Sequence, residues 1–148
     1  MKSTEIRHFR DLIRRLQRSI GWQAKSDADC CGITIAQCHA LLEIGKKEKL
    51  SLTDLAEVLE LDPSTLSRTI ETMVAGGLVN RNVNPDDRRY VALSLSAKGR
   101  ATFDRINQTY DHYYQTVFAR IPADKHDQLM ESINLLTRAV VETERISN

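Results

Sequence analysis

Asp86, Asp87, Arg88 and Arg89 stand side by side between a turn pair, Asn84-Pro85, and the alternating apolar residues Val91, Leu93 and Leu95. This is the tip of a hairpin, and it carries more charge than solubility requires. In an extended tip Asp87 and Arg89 fall on the same side, so the carboxylate can hold the guanidinium extended while Arg88 turns toward a phosphate. An arginine presented this way suits a narrow minor groove, where negative potential is concentrated. A solvated charge cluster is the plain alternative. A second group precedes the hairpin: Ser64, Thr65, Ser67 and Arg68, with Glu71 and Thr72 beyond them. On the outer face of a helix, short hydroxyls leave room for entry into a groove and can bond phosphates or base edges. Arg68 can take a guanine with two parallel hydrogen bonds, and the N–H groups at the helix start attract phosphate. For a lone helix a polar solvent face explains these residues as well; the charged hairpin directly after it favours the groove.

The third group is "DADCCGITIAQCH". Cys30 and Cys31 are expected in a loop just before the second helix, with Cys38 one turn inside it. A helix N-terminus favours the thiolate, while Asp27 and Asp29 oppose it. The three sulfurs could react with an oxidant or bind a soft metal or metalloid. Equally, Cys30 and Cys31 are ordinary thiols and Cys38 a core residue. Cys38 and His39 do not form a catalytic pair, because neighbours on a helix point about 100° apart. No metalloprotease, phosphate-loop or nucleophile-elbow motif is present, so neither catalysis nor a cofactor nor a resident metal is expected.

These groups need elements to position them. Ile6, Phe9, Ile13, Leu16 and Ile20 advance by alternating steps of three and four along a first helix over about residues 4–26, a narrow seam suited to another helix. Thr34 and Gln37 have capping-box spacing and start a second helix, with Ile35, Cys38 and Leu42 on one face and Gly45 as its stop. Ser51 starts a third helix, with Leu55 and Leu59 inward. Asp62 as N-cap, Pro63 at the first helical position and Leu61 opposite Leu66 start a fourth. Leu66, Ile70, Met73 and Val74 form its apolar face, and Gly76-Gly77 ends it. Only Glu60-Leu61 joins the third helix to the fourth, the span of a helix-turn-helix. Two strands follow, about 78–83 and 90–95. Ser96 caps a fifth helix to about residue 120, striped by Phe103, Ile106, Tyr110, Tyr113 and Val117. A last helix over about 123–145 carries Leu129, Ile133, Leu136 and Val140. The terminal stripes fit packing inside one chain or, better, pairing between two.

The chain has 148 residues, 41% hydrophobic and 28% charged, enough for one domain with a real core. No apolar run approaches the roughly 20 residues of a membrane span, and the first residues do not form a signal peptide, so the expectation is a cytoplasmic protein without membrane contact. Three cysteines argue against a disulfide framework. Net charge is +1, but residues 1–25 carry +5 and residues 62–100 carry +2, against −4 for 26–61 and −2 for 101–148. A nucleic-acid role must therefore rest on a local surface. The fold class expected is mainly α with a small β-hairpin: a winged helix-turn-helix flanked by long N- and C-terminal helices.

"LTDLAEVLELDPSTLSRTIETM", "GGLVNR", "DDRR" and "LSLSAKG", in that order over about residues 50–100, resemble the MarR family of bacterial winged-helix regulators. The resemblance implies one domain over 1–148, with the DNA-binding part at 34–95 and dimerisation helices at 1–33 and 96–148. It implies a homodimer, usually a repressor, on a pseudo-palindromic site in double-stranded DNA, released by a small-molecule inducer or by thiol oxidation. It carries recognition-helix roles onto Ser64, Thr65, Ser67 and Arg68, and wing roles onto Asp87, Arg88 and Arg89. The family's peroxide sensors keep a reactive cysteine in the first helix, where this chain is expected to have none. Two rivals stand beside this reading: a winged helix used only for protein contacts, and a thiol enzyme.

Overall fold

A computed structural model describes residues 2–47, 49–83, 86 and 91–147. The chain forms two compact units, Met1–Asn107 and Gln108–Asn148. In order the elements are α1 (Ser3–Cys30), α2 (Ile35–Lys46), β1 (Leu50–Ser51), α3 (Leu52–Leu59), α4 (Pro63–Ala75), β2 (Val79–Val83), β3 (Val91–Leu95), α5 (Ala97–Phe118), a 3-10 turn (Ala123–Lys125) and α6 (His126–Ser147). No described helix is long and apolar enough to cross a membrane.

The helix starts follow their capping chemistry. Thr34 Oγ1 accepts from Gln37 N at 3.2 Å and Gln37 Oε1 accepts from Thr34 N at 2.9 Å, a complete capping box for α2. Ser51 accepts from Asp54 N at 3.0 Å and starts α3. Asp62 accepts from the N–H groups of Ser64 and Thr65, both at 3.1 Å, and Pro63 follows at the first position of α4. α3 ends on Glu60, a non-glycine residue in the left-handed region at φ 52°.

The core lies in the first unit. Leu41 and Ile44 of α2, Leu55 of α3, Leu66, Ile70 and Met73 of α4, Leu93 of β3 and Ile106 of α5 are all essentially inaccessible to water. Burying a side chain of this size is worth roughly 1.5–3 kcal/mol, so α4 is held along its length by three such anchors. Val74, expected on the same face, is 37% exposed. α2 also differs from expectation. Its core face is Cys38, Ala40, Leu41, Ile44 and Gly45, whereas Ile35 is exposed and Leu42 half-buried. Ile35 and His39 instead line an apolar groove with Ile13, Leu16 and Ile20 of α1, so α2 has apolar contacts on two sides. Gly45 does not stop the helix, which runs on to Lys46. It makes room: a Cβ there would lie 2.3 Å from the Phe103 ring.

The sheet has three strands, not two. Order is β1-β3-β2, all antiparallel, with Leu50 opposite Leu93 and Val79 opposite Leu95. The two-residue β1 was missed because nothing in so short a stretch can show a period of two. The terminal helices carry their stripes on the surface. Ile6, Phe9, Leu16 and Ile20 of α1 are 39–51% exposed, with Ile13 half-buried. In the second unit Ile133 and Val140 are exposed, and Leu129 and Leu136 half-buried. There His126 Nε2 sits 3.2 Å from Phe118 O and 3.0 Å from Ile121 O, closing the turn between α5 and α6.

Candidate nucleic-acid interface

The helix-turn-helix is α3, a turn through Glu60 and Leu61 to the cap Asp62, then α4. With Leu66, Ile70 and Met73 turned into the core, the opposite face is dictated by a period of 3.6 residues. Ser64, Thr65, Arg68 and Glu71 are exposed there, and Ser67 is half-buried; Thr72, expected with them, is exposed but commits its hydroxyl to Gln37 and to Thr69 O. Sequence and structure thus bring four of the expected site residues onto one surface. They differ in freedom. The Ser64 hydroxyl donates to Asp62 Oδ2, so any groove contact would use its lone pairs. Ser67 Oγ lies 3.4 Å from Glu71 Oε1. Arg68 extends from the exposed side of the same turn.

The Asp62 carboxyl sits below the usual carboxylate range, first because the Ser64 hydroxyl donates to it and then because the Thr65 N–H does; partial desolvation works the other way. An ionised cap beside the positive end of α4 is favourable for the helix. It also places one negative charge where phosphate would approach, with the positive charge of Arg68 nearly two turns further on.

β2 and β3 form the two arms of the hairpin directly after α4, paired from Val79–Leu95 to Val83–Val91. Asp86 is exposed. Asp87, Arg88 and Arg89 lie outside the described residues, and so does the bracing of Arg89 expected from Asp87.

Two residues of the corner behind α4 were not singled out by sequence. Lys98 Nζ donates to Gly76 O, at the C-terminal cap of α4, at 2.8 Å. Gln37, credited only with capping α2, also donates from Nε2 to Thr72 Oγ1 at 3.0 Å. The corner is tight. Ser96 N donates to Leu78 O at 3.0 Å, Gly99 N donates to Ser96 Oγ at 2.9 Å, and a Cβ on Gly99 would lie 1.9 Å from the Leu78 carbonyl oxygen. The glycine of "LSLSAKG" therefore has a steric reason. Its signal in the sequence was a Ser and a Gly three apart at a helix start.

Of the three cysteines, Cys30 departs from expectation, while Cys31 in the turn and Cys38 inside α2 follow it. α1 continues to Cys30, so that residue ends the first helix instead of opening a loop. Cys31 is half-buried in the turn and lines a cavity of about 210 Å³ with Gln37, Thr72, Lys98 and Thr102. Cys38 is 1% exposed, inside the core, while its neighbour His39 is exposed.

Comparison with known proteins fits this geometry. The sequence profile described as MarR family matches residues 33–91, from the cap of α2 to the start of β3. The chain is 25% identical over 112 residues to the HTH-type transcriptional regulator BilQ of Clostridium symbiosum (strain WAL-14163), covering 76% of this chain and 78% of that protein. It is 33% identical over 76 residues to the multiple antibiotic resistance protein MarR of Escherichia coli (strain K12), covering 51% of this chain and 53% of that one. A solved structure of a cysteine-to-serine mutant of the E. coli MarR protein, complexed with operator DNA, superposes with a TM-score of 0.74 at 25% identity, over 89% of this chain and 95% of that chain. The transcriptional regulator SlyA superposes with a TM-score of 0.81 at 16% identity, over 95% and 99%.

Proposed function

We propose that this chain, whose residues 33–91 match the MarR family profile, is a sequence-specific DNA-binding transcriptional regulator of that family, a repressor, acting in the cytoplasm as a homodimer. The observation that carries the reading is the exposed face of α4. Thr65 and Arg68 stand within two turns of a capped helix start, on a helix anchored from behind by Leu66, Ile70 and Met73 and followed at once by a paired hairpin. In this reading α4 enters the major groove, Ser64, Thr65, Ser67 and Arg68 face bases and phosphates, and Asp87, Arg88 and Arg89 form the wing contact. Residues 34–95 are the DNA-binding part, and the helices of 1–33 and 96–148 dimerise through their exposed stripes. Release is by a small ligand or by modification of Cys30 and Cys31, with Cys38 a core residue. Catalysis plays no part.

Selection of bound sequences from a random duplex pool, with light scattering of the purified protein, tests this. The expected result is a dimer and an inverted repeat with half-sites about 10–10.5 base pairs apart, or a multiple of that. Arg68→Ala should relax preference at particular base pairs. Sites without inverted symmetry, or a monomer at micromolar concentration, would sink the reading.

A further inference from the structure

The buried face of α4 and its polar end are held by different means. Leu66, Ile70 and Met73 are packed into the core, but Val74, Ala75, Gly76 and Gly77 are exposed. The cavity of about 210 Å³ lies against this end, lined by Thr72, Gly76 and Leu78 together with Cys31, Gln37 and Lys98. Where a helix end borders a cavity, close packing holds it on one side only, and hydrogen bonds from the other side add to its orientation. Besides the Ser96 hydroxyl, which donates to Gly77 O, two side chains reach across from other elements. The Lys98 ammonium, on the first turn of α5, donates to the Gly76 carbonyl at 2.8 Å. That is a favourable place for a cation, because the last carbonyls of a helix lack partners and carry its negative end. The Gln37 amide, on the first turn of α2, donates to the Thr72 hydroxyl at 3.0 Å, and that hydroxyl donates onward to Thr69 O at 2.7 Å. Gln37 Oε1 is itself fixed by Thr34 N at 2.9 Å, so its amide is already oriented.

Resting on the DNA-binding reading, we propose that Lys98 and Gln37 are positioning residues for operator recognition: they set the angle of α4, and with it Thr65 and Arg68, without contacting the duplex. A brace of this kind matters most to the sequence-specific complex. Base-edge hydrogen bonds tolerate only small angular errors, whereas phosphate attraction is far less directional. Lys98 also ties α4 to α5, so a shift of the first turn of α5 would be felt at Gly76.

The test is a titration of the full-length protein on two labelled duplexes, the one selected from the random pool and a scrambled one, over a series of salt concentrations. Lys98→Met, Gln37→Leu and Thr72→Val are each expected to weaken the selected duplex about three- to tenfold, the equivalent of one net hydrogen bond. The scrambled duplex should change by less than twofold. The salt dependence should keep its slope, since no phosphate contact is lost. Lys98→Arg should restore binding, and the Gln37→Leu/Thr72→Val double variant should lose less than the two single losses combined, because both remove the Gln37–Thr72 bond, while each alone also removes one bond of its own, from Thr34 N to Gln37 Oε1 or from Thr72 to Thr69 O. Thermal midpoints, measured in parallel, report folding separately. If Lys98→Met lowers the salt slope by about one, Lys98 is a phosphate contact and the proposal is wrong for it. Equal losses on both duplexes, or no loss, overturn it outright. If the unaltered protein does not prefer the selected duplex, the DNA-binding reading itself fails, and this inference with it.

Discussion

α4 and α1 carry the same kind of apolar stripe and meet opposite fates. Leu66, Ile70 and Met73 are 0–1% exposed, while Ile6, Phe9, Leu16 and Ile20 are 39–51% exposed. Spacing of three and four says that a segment is helical and which face is apolar. It does not say what covers that face. In α4 the cover is the same chain. The stripe on α1 faces outward, except where Ile13, Leu16 and Ile20 meet Ile35 of α2 along the groove.

Substitutions on the two helices should separate these fates, and the largest effect is expected from the buried one. Ile70→Ala should destabilise the fold by about 2–5 kcal/mol, read by chemical denaturation. Phe9→Ala should change the stability of the isolated chain by no more than about 0.5 kcal/mol, yet raise a dimer dissociation constant at least about tenfold in sedimentation. Equal costs for the two in dilute protein would break the contrast.

Next in size are two glycines on the same two sides. Gly99→Ala forces a Cβ onto the Leu78 carbonyl oxygen and should cost about 1–3 kcal/mol as overpacking. Among the described residues, nothing lies within 4 Å of the site a Cβ would take on Gly21 of α1. Gly21→Ala should stabilise by about 0.5–1 kcal/mol through helix propensity. Thermal melts of the pair give the answer in one comparison, and a loss for Gly21→Ala would mean that a second copy approaches that spot closely.

Within the helix-turn-helix, Glu60 is held at φ 52°, a conformation that costs a side chain roughly 1–2 kcal/mol. Glu60→Gly should recover part of this, about 0.5–1 kcal/mol net of the added chain entropy, with DNA affinity unchanged. Destabilisation on denaturation would argue that the Glu60 side chain contributes a contact larger than the strain.

The smallest effect belongs to Asp62. Hydrogen bonds hold its carboxyl below the ordinary range, so the stability it contributes is present above the unfolded value of about 3.9 and fades as pH falls through the lower folded value. From neutrality to about pH 5 it should contribute no slope. Asp62→Asn keeps a capping oxygen and should narrow its difference from the parent protein as the pH is brought to about 3. A difference that widens in acid would contradict the cap.

The most legible part of the fold was that which local chemistry dictates. Asp62 and Pro63, Thr34 and Gln37, and Gly76-Gly77 fixed element ends through groups within a few residues of one another. What could not be read depends on distant partners. The end of α1 was set too early because "SDADC" contains no breaker before Gly32. The core face of α2 was misread because it is apolar on two sides, and Ile35 and Leu42 belong to neither centre. In the candidate site, the exposure of Arg68 followed from periodicity alone. Lys98 and Gln37 did not, since their bonds to Gly76 and Thr72 span 22 and 35 positions of the chain, a relation no spacing rule encodes. Asp87, Arg88 and Arg89 keep the standing their residue types give them.

The strand order has a consequence for the time course of folding. β1 precedes the helix-turn-helix and pairs with β3, which follows it, so that Leu50 closes on Leu93 with α3, α4 and β2 inside the loop. Long-range closures form late, because the chain between them must first surrender its freedom. During synthesis, α3 and α4 emerge well before β3 is available to close behind them. In that interval the strand edge of Leu50 and Ser51 is open and the side chains of Leu66, Ile70 and Met73 lack their final cover. The nascent chain is thus exposed to misassociation in the segment proposed to read DNA, and the arrival of the second hairpin arm ends that exposure.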